Sequence, residues 1–79
     1  MRLDKFLKVS RIIKMRTVAN EVCDAKHVNV NGKPARASYD VKEGDVIEIT
    51  FGQKVTKYQV LNVTEYATKE SASSMYKEL

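Results

Sequence analysis

Near residue 27 the apolar pattern of this chain changes period from 3.6 residues to 2, and that switch limits the folds open to it. Ahead of the switch, segment 3–9 reads as a short helix that turns Leu3, Phe6 and Leu7 inward. Asp4 near its start complements the positive end of the helix dipole. Residues 10–16 form a joint in which Ile12 and Ile13 are apolar anchors. Thr17 is a good N-cap for a second helix over 18–26, with Val18, Val22 and Ala25 on one face and Ala19 and Cys23 beside it. Beyond the switch, Val28 and Val30 alternate with Asn29, and Asn31-Gly32 signals a hairpin because both residues tolerate positive φ. Lys33-Pro34-Ala35 begins the return, and Pro34, which lacks an N–H, places it at a sheet edge. Glu43-Gly44-Asp45 reads as a turn, 46–51 as a strand, Gly52 as a bend, and 55–63 as a further strand with Tyr58, Val60 and Asn62 marking the alternation. Helices first and antiparallel strands afterwards define an α+β domain.

Residues 1–63 make up that domain, and 64–79 read as a polar C-terminal tail. In the tail, Ala72, Met75, Tyr76 and Leu79 share helical spacing, so a short terminal helix and a fraying end are both open readings. A chain of 79 residues buries only about 60–65% of the surface its unfolded form exposes, so its core is thin.

Charge narrows the function. Arg2, Lys5, Lys8, Arg11 and Lys14 recur every three residues, Arg16 completes the set, and Asp4 is the sole acid among them. Like charges at that spacing repel, so the stripe weakens a helix unless a polyanion neutralises it. Residues 1–36 hold nine Lys or Arg against three Asp or Glu, whereas residues 37–79 hold five against seven. The plain alternative is a solvated face that aids solubility. Density, the near-uniform sign and the matching apolar face argue instead for a nucleic-acid phosphate backbone. An anionic membrane is a weaker rival, since the apolar face is short and needed for the core.

Catalysis finds little support. His27 is the single histidine, and no Ser-His-Asp set, acid pair at recognisable spacing or P-loop is present. His27 suits a helix C-terminus or the surface, and Cys23 suits core packing. One cysteine gives neither a disulfide framework nor a CxxC metal pair, so no metal and no cofactor are expected, and a reducing cytoplasm fits. No apolar run is long enough to span a bilayer.

Arg2-Leu3-Asp4-Lys5-Phe6-Leu7, Val9-Ser10-Arg11-Ile12, Arg16-Thr17, Val28-Asn29-Val30-Asn31-Gly32-Lys33 and Val41-Lys42-Glu43-Gly44-Asp45-Val46-Ile47 together resemble the RNA-binding domain named after ribosomal small-subunit protein S4. The resemblance covers roughly residues 1–50 and implies an α-L motif, two short helices packed on a small antiparallel sheet. Because the domain is nearly the whole chain, the likeness narrows to stand-alone members related to heat-shock protein fifteen. Phe51-Gly52-Gln53-Lys54 and Ser74-Met75-Tyr76 are most similar to the bacterial ribosome-associated quality-control P factors.

Such a family member is implied to be nonenzymatic and cytoplasmic; oligomeric state is left open by the sequence, and with nothing like a large exposed apolar surface a monomer off the ribosome is the expectation. It would bind rRNA of the large ribosomal subunit and peptidyl-tRNA, and support a factor that adds alanine tails to stalled nascent chains. The alternatives are a ribosome-assembly or general large-subunit rRNA-binding factor and an accessory subunit of a modification enzyme. Expected RNA-binding residues are Arg2, Lys5, Lys8, Arg11, Lys14, Arg16 and Thr17, with Lys33 and Arg36 on the neighbouring rim by resemblance. Asp4 either orients Arg2 or Arg16 or is only a helix-start charge. Tyr39 is read as buried in preference to stacking on a base.

Overall fold

A computed structural model describes all of residues 1–79. Two helices, α1 (Leu3–Val9) and α2 (Arg16–Asp24), precede strands β1 (Val28–Val30), β2 (Lys33–Pro34), β3 (Val46–Phe51) and β4 (Lys54–Val60). A four-residue helix α3 (Lys69–Ala72) and strand β5 (Tyr76–Glu78) complete the chain. The five strands form one sheet in the order β2-β1-β3-β4-β5, antiparallel at every pairing. This is the α+β architecture expected from the period switch.

Register aligns one face of that sheet. Val28 opposes Ile49 and Val30 opposes Ile47, while Ile47 in turn opposes Tyr58, and Val60 opposes Tyr76. Side chains alternate across a strand, so these residues share the face on which α1 and α2 lie. Leu3, Phe6 and Leu7 of α1 join Ala19 and Cys23 of α2 in the same core, all at most 1% exposed. Each fully buried Leu or Phe contributes about 1.5–3 kcal/mol, which is how so small a core holds a sheet and two helices together.

Asn31 and Gly32, at φ 53° and 82°, form the two-residue hairpin between β1 and β2. Pro34 lies in β2, at the sheet edge where a missing N–H costs least. Gly52, at φ 59°, takes the first central position of the β3–β4 turn, where a type II′ turn needs positive φ.

Four sequence readings need correction. Helix α2 covers Arg16–Asp24 and not 18–26, and its N-cap is Met15, extended at φ −115°, with no side-chain capping bond. Thr17 is therefore inside the first turn and caps nothing. The face packed on the core is that of Ala19 and Cys23, and Val18 and Ala25 are exposed. At the far end Lys26 takes the left-handed conformation (φ 65°), and the His27 and Lys26 amides close on the Val22 and Cys23 carbonyls.

Strand β4 stops at Val60 and does not reach residue 63, because the Leu61 and Asn62 amides both turn to the Met75 carbonyl. The tail does not form one helix through residues 72–79. Thr68 and Ser71 build a reciprocal capping box on the short α3, and Tyr76–Glu78 add a fifth strand beside β4. Ala72 and Met75 are buried through the turn between them, and Tyr76 meets Tyr58 edge to face at 5.4 Å.

Candidate nucleic-acid interface

The centre of the basic surface is an acid. Asp4 occupies the first turn of α1, and its carboxylate is 3% exposed. Oδ1 accepts the Lys5 amide at 2.8 Å and Arg2 Nε at 3.2 Å. Oδ2 accepts Asn20 Nδ2 at 3.2 Å, faces Arg16 Nε at 3.5 Å, and receives a weak 3.5 Å contact from the second Arg2 nitrogen. Arg16 and Asn20 are four residues apart on α2, so one helix face delivers both. Asp4 thus holds both arginines, where the sequence left a choice between either one and a plain helix-start charge.

Burial pushes the Asp4 carboxyl upward, but hydrogen bonds from Arg2, Asn20 and the Lys5 amide, with the Arg16 charge, outweigh it and hold its pKa below the usual value. The carboxylate stays ionised, and the two guanidiniums remain about half exposed, at 51% and 49%.

Backbone contacts fix Arg2 from behind. Arg2 bridges to Asp40, the Leu3 amide donates to Tyr39 O at 2.8 Å, and the Val41 amide donates to Met1 O at 2.8 Å. Arg2, Asp4, Arg16, Thr17, Asn20 and Glu21 then line one shallow, wholly polar depression. Planar guanidiniums suit phosphate because each can bond two oxygens, and here two are pre-oriented on an open face. The first amides of α2 lie beside them with no side-chain acceptor.

The remaining expected residues are distributed around this centre. Lys8, Arg11 and Lys14 share a cleft with Glu65, Tyr66 and Lys69. Lys5 is paired with Glu65, which lowers the Glu65 pKa by that hydrogen bond and charge. Arg36 lines a depression with Arg2, Asp24 and Lys26, so one face joins it to the arginine pair. Lys33 lies beyond Pro34 and Ala35 in a separate depression with Tyr39.

Tyr39 is not buried as expected. It is 36% exposed, and its hydroxyl donates to Asp45 Oδ2 at 3.4 Å. Cys23 is buried, and its thiol pKa is pushed up to about 12 by that burial and by the charges of Asp4 and Asp24. Its place is in the core. His27 is exposed just past the end of α2.

Three residues of the surface escaped sequence reasoning. Asn20 could have been found from its four-residue spacing to Arg16. Lys26 is a cation following a helix end, and its left-handed conformation carries no sequence signal. Tyr66 lies in a polar stretch with no period to mark it.

An α+β domain with a phosphate-suited basic face on its leading helices is the form of a small RNA-binding module. The chain belongs to the S4 domain family, whose model matches residues 1–47. Within it, similar curated relatives are called RQC P-site tRNA stabilizing factor. The Halalkalibacterium halodurans protein is 55% identical over 76 residues, covering 96% of this chain and 86% of that one. The Bacillus subtilis protein is 53% identical, covering 96% and 88%. The trimeric structure of Vibrio cholerae heat shock protein 15 superposes with TM-score 0.90 at 26% identity, covering all of this chain and 81% of that one. The solution structure of the hypothetical protein HP1423 gives 0.84 at 28%, covering 100% and 96%.

Proposed function

We propose that this chain is a nonenzymatic RNA-binding factor of ribosome-associated quality control. It binds the large ribosomal subunit through rRNA and peptidyl-tRNA, and supports a partner that adds alanine tails to stalled nascent chains. The observation that supports it best is the exposed guanidinium pair ordered by Asp4, in a chain alike over 96% of its length to relatives called RQC P-site tRNA stabilizing factor.

Arg2 and Arg16 make the central phosphate contacts, with the Thr17 hydroxyl beside them. Arg36 extends that face, Lys8, Arg11 and Lys14 continue it around the α1–α2 joint, and Lys33 reaches RNA at the rim. Lys5 contributes once RNA phosphate competes with Glu65. Folded RNA is recognised largely by shape and backbone, which suits a small rigid basic corner. A wedge beside a tRNA favours one tRNA position, and the chemistry of elongation belongs to its partners. No helix is long and apolar enough to cross a membrane, and the site of action is the cytoplasm.

Co-sedimentation with ribosomal particles, with each fraction probed for peptidyl-tRNA, tests this reading. Enrichment on large subunits carrying nascent chains is the expected result. Enrichment on immature or empty particles would assign the chain to ribosome assembly instead.

A further inference from the structure

The cleft between the α1–α2 joint and the segment ahead of α3 carries an aromatic ring that the fold does not use. Tyr66 is 91% exposed, whereas Tyr58 and Tyr76 pack against the core and each other. The segment that presents it is nonetheless pinned on both sides. Val63 and Ala67 pack against the core, Glu65 is bonded to Lys5, and Thr68 begins the capping box of α3. The ring is held out into solvent by an anchored span.

Cations surround it. Lys8 from α1, Arg11 and Lys14 from the joint, and Lys69 from α3 line the same cleft. Its one acid, Glu65, is turned to Lys5. Arg11 stands at φ 63°, just past the end of α1, in a left-handed conformation that glycine adopts freely and a larger residue adopts under strain. A guanidinium occupies a position where backbone stability alone would favour glycine.

We propose that Tyr66, with Lys8, Arg11, Lys14 and Lys69, forms a site for an unpaired nucleotide of RNA: the base stacks on the tyrosine ring and the flanking phosphates meet the four cations. Every base has a π-face, so stacking on an exposed ring tolerates sequence. Paired bases hide those faces inside the helix, and only a splayed base in a loop or bulge can reach the ring. The apolar lining besides Tyr66 is Val9 and Ala67, too little for an acyl chain. The site rests on the RNA-binding reading above and adds to it a preference for a kind of RNA.

The test uses the full chain and a stem-loop RNA carrying 2-aminopurine in its loop, against a fully paired duplex of the same stem. Wild type should bind the stem-loop and quench the 2-aminopurine fluorescence. Tyr66→Ala should weaken stem-loop binding about tenfold and abolish the quenching, as loss of one base–aromatic stack implies, while duplex affinity and melting temperature hold. Tyr66→Phe should keep both binding and quenching. A Tyr66→Ala protein that binds both RNAs as wild type does, or loses equally on both, overturns the stacking site alone. A wild-type chain that binds neither RNA overturns the RNA-binding reading and the stacking site together.

Discussion

Replacing Asp4 with Asn removes the charge on which two arginines converge and changes the volume hardly at all. One amide oxygen can still accept from the Lys5 amide and Arg2, but the new NH2 group faces the Asn20 amide and the Arg16 guanidinium, donor against donor. A hydrogen bond to a charged group contributes about 1.5–3 kcal/mol when buried. Arg2 and Arg16 are half exposed and recover water, so their share is nearer the 0–1 kcal/mol of surface ion pairs. The partly buried Asn20 contact remains, and the sum is about 2 kcal/mol. For a domain of this size that lowers the melting temperature by roughly 10 °C. Releasing two guanidiniums also restores their rotamer freedom, at about 0.5–1.5 kcal/mol each on binding, so RNA affinity should fall about tenfold.

The pH dependence has a definite sign. The folded carboxyl titrates below its ordinary value, so its stabilisation is complete above about pH 4 and is lost as the pH falls through the folded value. Circular dichroism melts of wild type and Asp4→Asn between pH 7 and pH 3 should show a gap that is constant at neutrality and narrows as the pH falls into the acid range. Equal melting temperatures at pH 7, or a gap that widens in acid, would refute the assignment of Asp4 as an ionised hub.

Arg16→Ala removes one half-exposed guanidinium from the same hub and should weaken RNA binding about tenfold while moving the melting temperature only a few degrees. Loss of stability in proportion to affinity would make Arg16 structural. If about four to six phosphates are neutralised, log affinity should fall against log salt with a slope of about −3 to −5, measured by fluorescence anisotropy, and a flat dependence would sink the electrostatic account. Cys23 should resist alkylation at pH 8 in the native protein and react once denatured, because its thiol is buried with a pKa near 12.

The readable parts of this fold are those specified by neighbours in sequence. Leu3, Phe6 and Leu7 fix α1, Asn31-Gly32 fixes the hairpin, and the alternation of Ile47 and Ile49 fixes β3. The start of α2 was not readable, because Met15 enters it without a capping side chain and Thr17 offered a false one. Nor could one strand of sequence say which arginine reaches Asp4, since Arg16 arrives by tertiary packing of α2. The tail misled for a similar reason. Ala72, Met75 and Tyr76 have the spacing of a helix, but a turn and a strand bury them just as well once β4 offers an open edge.

That open edge has a consequence for how the chain comes into being. Until residues 76–78 pair, β4 presents a row of unpaired amides and carbonyls beside Tyr58 and Val60. Such an edge invites pairing with other chains until it is covered. The capping box of Thr68 and Ser71 folds the intervening segment back at short range, and short loops close fast. Covering the edge therefore needs only the segment between Val60 and Tyr76 to close on itself, so the chain supplies its own guard against edge-to-edge pairing.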